Sequence, residues 1–302
     1  MRKPVITQDE FEKQHIQLDD TLRKYRVSER GRGLFGARMK KMLSLRHAGS
    51  LKAINAMSRI AVARSLVESA TTELEGDNVE TVFFITVLSK EFAVTLDRAK
   101  HFRSKKATSW IKSILGEADY VGFWEVAYYY RSPFLENGHK PHLVWHAHLI
   151  AWNIRVEDVE RIQHNANRDF QAFLPGRNAF HYRKLPLKRA MGRVFYMSKA
   201  PLSEYTAYPR VQEVMDTETG EVITVPGNTW INRKRQIRPG SLAKVTLGIN
   251  SRSIRSLCFA GGRGKPVKRS ALNEAKSALL RDRHARELTL KLALSTDSRG
   301  DA

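Results

Sequence analysis

The chain is poor in cysteine and in long apolar runs. Its 302 residues include one cysteine, Cys258, which excludes an internal disulfide framework and a cysteine-based zinc site and is typical of a reducing compartment. No apolar run approaches the ~20 residues that a membrane-spanning helix needs. The first residues, MRKPVITQDEFEKQ, lack the apolar centre of a secretory signal. We therefore expect a cytoplasmic protein without a membrane partner.

Acidic residues are also scarce. The chain has 31 Asp and Glu against 52 Lys and Arg, so its formal net charge is +21. Such a surface attracts polyanions and gains affinity by releasing their counterions. We expect a nucleic-acid partner, although a ribosome-associated protein or a non-specific binder would have the same composition.

Hydrophobic periodicity predicts an α+β protein in three parts. Residues 1–75 are expected to form a basic, helical N-terminal extension that the GRGLFG segment (31–36) interrupts. Residues 76–210 are the expected core. Residues 211–302 are expected to form a basic C-terminal region with a hairpin at 214–225, the loops INRKRQIRPGS and GGRGKPVKR, and a terminal helix at 270–294.

Within the core, three runs rich in β-branched and aromatic residues predict strands. They are TVFFITVLS (81–89), YVGFWEVAYYY (120–130) and HLVWHAHLIAW (142–152). The second and third strands should pair as a hairpin, because Asn137-Gly138 between them is a turn signal. Helical patterns cover 94–115, 156–174 and the segment LKRAMGRVFYMSKA before Pro201.

Two histidines stand one residue apart inside the third apolar run. On a strand, His146 and His148 project to the same side, where two imidazoles can share one metal ion. With ten histidines in the chain, such a pair also arises by chance. The alternative is a pair of histidines at the edge of the core, bonded to backbone groups.

The preceding strand carries a lone carboxylate, Glu125, among aromatic residues. A buried charge of this kind is costly unless it is paired or bound to a cation. Two histidines and one glutamate would leave open positions on a divalent ion such as Mn²⁺ or Mg²⁺. An open position is what a Lewis acid needs to bind a phosphate oxygen.

Downstream, Tyr196 and Lys199 in RVFYMSKA are three residues apart and share a helix face. A tyrosine hydroxyl is a weak nucleophile at its usual pKa of about 10. A metal-polarised phosphodiester and a nearby ammonium would make its attack feasible. The alternative is a half-buried aromatic ring beside a solvated lysine.

The order of these motifs resembles that of the HUH endonucleases. It is most similar to the rolling-circle replication initiators (Rep proteins) of bacterial plasmids and phages. FFITVLS resembles their first motif, GFWEVAYYY with VWHAHLIAW their metal-binding hairpin, and RVFYMSKA their tyrosine motif. The resemblance covers roughly residues 80–200.

The resemblance implies an HUH endonuclease core, an antiparallel sheet with the site on one face and helices on the other. His146 and His148 would be metal ligands, Glu125 a third ligand, and Tyr196 the nucleophile, with Lys199 assisting by position or charge. Tyr196 would attack single-stranded origin DNA, leaving a 5′-phosphotyrosine link and a free 3′-OH. A host polymerase would extend this end, and a host helicase is a further candidate partner.

Some features depart from the family pattern. Some relatives carry a glutamate one helical turn before the tyrosine, but this chain has Gly192 there, and Glu204 is a candidate substitute. One tyrosine fits the motif, whereas Tyr205 and Tyr208 lie beyond Pro201. His139 and His142 are expected to be loop or strand-start residues, with a ligand or supporting role as the alternative.

Other functions remain open on the sequence. A relaxase or a single-strand transposase would share the chemistry; the position of the tyrosine after the histidines favours a Rep protein or a transposase, and the chain length favours a Rep protein. A non-catalytic nucleic-acid-binding protein would explain the charge without any reaction.

Overall fold

The computed structural model describes residues 6–43, 50–131 and 140–297. Its α-helices are α1 (Gln8–Val27), α2 (Glu29–Leu43), α3 (Ala56–Gly76), α4 (Ser104–Leu115), α5 (Val156–Asp169), α6 (Leu187–Ser198), α7 (Pro239–Ile249), α8 (Ile254–Leu257) and α9 (Gly264–Asp297). Its strands are β1 (Thr81–Val87), β2 (Ala93–Thr95), β3 (Asp119–Arg131), β4 (His142–Trp152), β5 (Phe180–Pro186), β6 (Ser203–Met215), β7 (Val222–Gln236) and β8 (Cys258–Gly261).

The strands form one sheet in the order β5-β1-β4-β3-β6-β7, with β2 added beside β4 and β8 beside β3. The expected α+β class is confirmed, as is the β3–β4 hairpin pairing. The sheet is mixed rather than antiparallel throughout, because β6 pairs with β3 in parallel. That pairing arises because the chain leaves the sheet after β5, forms α6 over one face, and re-enters beside β3.

The face opposite α6 is closed by an aromatic cluster. Trp124 of β3 and Trp145 of β4 are both buried and meet Phe92 and Phe102, with the rings of Phe102 and Trp145 stacked 4.6 Å apart. The Trp124 indole N–H donates to Thr108 Oγ1 of α4 at 2.9 Å. Because side chains alternate along a strand, this packing sends Glu125, His146 and His148 to the other face.

The N-terminal helices are joined to the end of α6. Arg59 of α3 is buried and donates to the carbonyls of Ser198 and Lys199 at 2.7 and 3.0 Å. His15 of α1 donates from Nδ1 to the Phe11 carbonyl, while its Nε2 accepts from the Ala200 N–H at 3.0 Å. Arg59 of α3 thus pairs carbonyls at the C-terminal end of α6, and His15 of α1 pairs the N–H of the residue that follows.

Several expected loops and breaks are regular structure instead. The GRGLFG segment lies inside α2, and the chain turns at Ser28. Gly31 permits this turn, because a Cβ there would lie 1.8 Å from the Tyr25 carbonyl oxygen. The loop prediction was wrong for 231–236, which belong to β7, and for 264–269, which belong to α9.

Other element boundaries also differ from the prediction. Residues 94–115 are not one helix: β2 and a 3-10 segment precede α4. The elements β5, β8, α7 and α8 were not predicted. The division of the chain at residues 75 and 210 stays a prediction. Among the described residues, no helix combines the length and the hydropathy needed to cross a membrane.

We expect His15 to make folding stability pH-dependent. Burial lowers the pKa of His15 to about 3, so between pH 6.5 and 3 the unfolded chain binds a proton that the folded chain does not. Stability from this group is therefore present above pH 6.5 and is lost as the pH falls. In urea unfolding from pH 7 to 4.5, His15→Gln should flatten the dependence by up to about 1.4 kcal/mol per pH unit.

His164→Gln, which changes an exposed histidine of α5, is the matched control and should leave the slope unchanged. Equal slopes for the wild type and His15→Gln would contradict the assignment of a neutral, structural His15.

Candidate metal centre and tyrosine

The β3–β4 register brings the three expected metal ligands together. Glu125 lies directly opposite His146, and His148 is one rung further along the same face. Glu125 Oε2 is 3.5 Å from His146 Nε2 and 3.4 Å from His148 Nε2. One ligand atom from each residue lies within 4.8 Å of the others, so this Glu/His/His cluster could hold a metal ion.

The hydrogen bonds of the histidines fit metal binding. His146 donates from Nδ1 to the Val144 carbonyl at 3.2 Å, which leaves Nε2 as the ring atom that faces Glu125. His148 Nδ1 lies 2.9 Å from Thr86 Oγ1 of β1, and its Nε2 is buried without a hydrogen bond among the described residues. Burial lowers the pKa of His148 to about 3, so the imidazole is neutral at pH 7. The His148 ring thus presents the neutral form that binds metals.

The Glu125 carboxylate is compensated by a buried lysine. Lys199 Nζ lies 2.5 Å from Oε2, the same oxygen that faces both imidazoles. Burial on its own raises the pKa of Glu125, but the Lys199 ammonium and His146 outweigh it, so the pKa falls well below its usual range. Burial lowers the pKa of Lys199, and Glu125 opposes that change. Glu125 is therefore ionised at neutral pH, as a metal ligand must be.

Helix α6 places Tyr196 beside the cluster. The Tyr196 ring is 5.1 Å from the His148 ring and 6.2 Å from the Phe84 ring. Lys199 Nζ stands 3.6 Å from the centre of the Tyr196 ring. Tyr196 is half-buried and lines a cavity of about 130 Å³ that His148 and Thr86 also line. The five residues singled out in the sequence therefore share one site, although their chemical roles stay predictions.

The residues that depart from the family pattern lie as follows. Gly192 occupies the α6 position one turn before Tyr196, so that position has no carboxylate. Glu204 is buried at the start of β6 and bonds to Arg235 and Arg238 at 2.5 and 2.8 Å. Both oxygens are engaged there, because Oε2 also accepts from the Arg238 N–H. Glu204 is thus part of an ion pair, which does not suit the role that the resemblance gives to a glutamate near the tyrosine.

The other histidines and tyrosines considered in the sequence are not members of the Glu/His/His cluster. His142 begins β4, donates to the Lys140 carbonyl at 2.8 Å, and is not part of the Glu/His/His cluster. His139 lies outside the described residues. Tyr205 pairs with Tyr129 across the β3–β6 register, so it shares the face of Glu125. Burial, with a smaller effect from Glu125, raises the pKa of Tyr205 and disfavours its phenolate.

Sequence reasoning missed the residues that support this site. Thr86 was seen as part of an apolar strand, yet it orients His148. The available signal was a polar residue on the strand face that Thr86 shares with Phe84 and Leu88. Arg193, one turn before Tyr196, was also missed, although the helical spacing puts both on one side of α6. The bonds from Arg59 and His15 to the end of α6 cross 139 to 185 residues and leave no local signal.

A scan of the chain against protein-family models, a search of curated proteins and a search of solved structures all found no match.

We expect Thr86→Val to weaken metal binding without unfolding the protein. The change keeps the shape of the side chain but removes the hydroxyl that fixes the His148 ring. Loss of such a supporting partner typically costs 10–100-fold in metal affinity, so about that loss should appear for Mn²⁺ in titration calorimetry. Thr81→Val, on the same strand but exposed, is the control. Equal affinity for wild type and Thr86→Val would contradict a metal-ligand role for His148.

Lys199→Met should destabilise the metal-free protein, because it leaves the Glu125 carboxylate buried without a cation. Breaking a buried pair in this way costs about 3–5 kcal/mol. Mn²⁺ would replace the missing charge, so the metal should raise the Tm of Lys199→Met more than that of the wild type. Lys188→Met, an exposed position of α6, should behave like wild type in both measurements. A smaller Mn²⁺ shift in Lys199→Met would contradict this electrostatic account.

Proposed function

We propose that the protein is a metal-dependent DNA endonuclease and strand transferase of the HUH type, which nicks single-stranded origin DNA to start rolling-circle replication of a plasmid or phage. The observation that carries the proposal is the position of Tyr196, whose ring lies 5.1 Å from that of His148, a member of the Glu/His/His cluster. A tyrosine beside a two-histidine metal site is suited to attack a phosphodiester. The antiparallel β1–β4–β3 strands, which carry Thr86 and the cluster, support an HUH-type core within the mixed sheet.

The cluster's ligand set favours a particular class of ion. Two imidazoles and one carboxylate supply three ligands, and the rest of a six-coordinate shell stays available to water or a phosphate oxygen. Nitrogen ligands favour Mn²⁺ over Mg²⁺, which prefers oxygen. When bound, such an ion would polarise the phosphodiester and stabilise the charge that develops on its oxygens.

The protein's own groups would carry the transfer itself. Tyr196 Oη forms a bond to phosphorus as the bond from phosphorus to the 3′ oxygen breaks. The phenol loses its proton, and the departing 3′ oxygen gains one. The Lys199 ammonium, 3.6 Å from the ring centre, favours the phenolate and so lowers the cost of losing that proton. The product keeps a phosphoester bond, so a later 3′-OH can attack the phosphotyrosine and close a circle.

The global charge supports the choice of substrate. A formal charge of +21 suits a polyanion. Single-stranded DNA is the preferred form, because the cavity beside Tyr196, about 130 Å³, admits a phosphate from a flexible strand more readily than a rigid duplex. A host polymerase that extends the free 3′-OH is the partner that this chemistry requires, and a host helicase would expose the strand.

We expect a covalent DNA adduct that depends on metal and on Tyr196. End-labelled single-stranded oligonucleotides tiling both strands around the gene that encodes the chain are incubated with Mn²⁺, Mg²⁺ or a chelator and separated on a denaturing gel. The wild type should give a protein-sized adduct in the presence of metal and none in the presence of the chelator. Tyr196→Phe should abolish the adduct because it removes the attacking oxygen, and His146→Ala should reduce it at least about 100-fold because it removes a ligand.

Tyr182→Phe is the matched control, because Tyr182 bonds to Glu160 on the opposite side of β5. The Tyr182→Phe variant should form the adduct as the wild type does. An adduct that survives in Tyr196→Phe would assign the nucleophile to another residue. Tight DNA binding without an adduct on any oligonucleotide would contradict the enzyme and favour a non-catalytic nucleic-acid-binding protein.

A further inference from the structure

A group of two arginines and a histidine lies beside the Glu/His/His cluster. In the β1–β5 register Thr86 faces His181 and Phe84 faces Arg183, so both β5 residues are on the cluster's face of the sheet. Arg193 projects from α6 over this pair. Together with Tyr196 and His148, these side chains line the cavity of about 130 Å³. We call Arg193, Arg183 and His181 the arginine pocket.

Arg193 is the buried member of the pocket. The residue is 8% exposed, and its guanidinium carbon lies 5.6 Å from the centre of the Phe84 ring and 5.7 Å from that of the Tyr196 ring. Among the residues that the structure describes, Arg193 forms no ion pair and no hydrogen bond. Two ring contacts near the outer limit of about 6 Å leave its N–H donors unused.

The neighbours of Arg193 make this arrangement costly without an anion. Burial lowers the pKa of Arg193, and the positive charge of Arg183 lowers it further. Two guanidinium groups facing one cavity repel each other unless an anion lies between them. Their planar N–H forks match the paired oxygens of a phosphate better than they match a halide ion or a single carbonyl oxygen.

We propose that the arginine pocket is a second phosphate site, which binds the phosphodiester next to the one that Tyr196 attacks. This inference rests on the proposed function for the identity of the strand, but the anion site itself does not depend on cleavage. The cavity is smaller than the roughly 300–1,000 Å³ of pockets that enclose a drug-sized ligand. It therefore suits a phosphate group with the bases left outside. The Arg193 guanidinium carbon lies 5.7 Å from the centre of the Tyr196 ring, so a phosphate bound to Arg193 would lie within one nucleotide of the attacked one. Arg193 and Arg183 are thus positioning residues that set which phosphodiester reaches Tyr196.

The first test measures binding without chemistry. Tyr196→Phe, with a chelator present, is titrated with a fluorescent single-stranded oligonucleotide across a series of salt concentrations. Adding Arg193→Gln should weaken binding about 10-fold and reduce the slope of log K against log salt by about 0.7, the value for one lost contact to single-stranded DNA. Arg193→Lys should restore part of the slope because it keeps the charge. Arg189→Gln, an exposed position of α6, removes the same charge away from the pocket and should leave the slope unchanged.

The second test locates the phosphate that the pocket binds. Single methylphosphonates, which are uncharged, are placed in turn along a cleaved oligonucleotide. In the wild type, one substitution next to the cleaved position should slow adduct formation about 10-fold. In Arg193→Gln the same substitution should have little further effect, because the contact is already absent.

The outcomes separate the two proposals. If no oligonucleotide is cleaved but Arg193→Gln lowers the salt slope, the proposed phosphate site is supported and the proposed endonuclease activity is contradicted. If cleavage occurs but Arg193→Gln leaves the slope unchanged, the endonuclease activity is supported and the phosphate site is overturned. The same conclusion follows if the methylphosphonate and the variant have additive effects on adduct formation. A loss of slope equal in Arg189→Gln and Arg193→Gln would also overturn it, because the effect would then be one of general charge.

Discussion

The site depends on one buried negative charge. Glu125 is 6% exposed, and its Oε2 atom meets both imidazoles and the Lys199 ammonium. A carboxylate removed from water is stable only where cations surround it. Lys199 provides the positive charge in the metal-free protein, and a divalent ion would add positive charge between Glu125 and the histidines. The same lysine stands 3.6 Å from the Tyr196 ring centre, so the Glu125 carboxylate and the Tyr196 ring share one partner.

The rest of the fold supports this arrangement through packing and hydrogen bonds. The aromatic cluster beneath β3 and β4 fixes the strands that carry the ligands, since Trp124 and Trp145 are buried on the opposite face. Helix α6, which carries the tyrosine, is held at its end by Arg59 and His15. These bonds connect the basic N-terminal helices to the site: they fix the backbone of Lys199 and Ala200, and through it the ion pair with Glu125. A displacement of α1 or α3 would therefore move Lys199 relative to the Glu/His/His cluster.

Local pattern was enough to predict the centre of the site. Strand alternation placed His146 and His148 on one face, hairpin pairing brought Glu125 opposite them, and helical spacing put Tyr196 and Lys199 together; the structure has all three relations. The parallel β3–β6 pairing was not predictable, because it joins segments that lie more than 70 residues apart with α6 between them. Long-range contacts carry no periodic signature, so the support from Arg59 and the burial of Arg193 were also out of reach. The loop predictions for 231–236 and 264–269 were wrong for a different reason. Their glycines and basic residues are typical of turns, but β7 is stabilised by strand pairing and α9 by packing, which composition does not reveal.

The most direct test of the account is to locate a Mn²⁺ ion by anomalous scattering from a crystal grown with the metal. We expect one strong peak bonded to His146 Nε2, His148 Nε2 and a Glu125 oxygen, with Lys199 Nζ moved off the oxygen that the ion occupies. A Mn²⁺ peak at another place, with Lys199 still bonded to Glu125 and the two Nε2 atoms unligated, would contradict the central claim that this buried cluster is a metal centre.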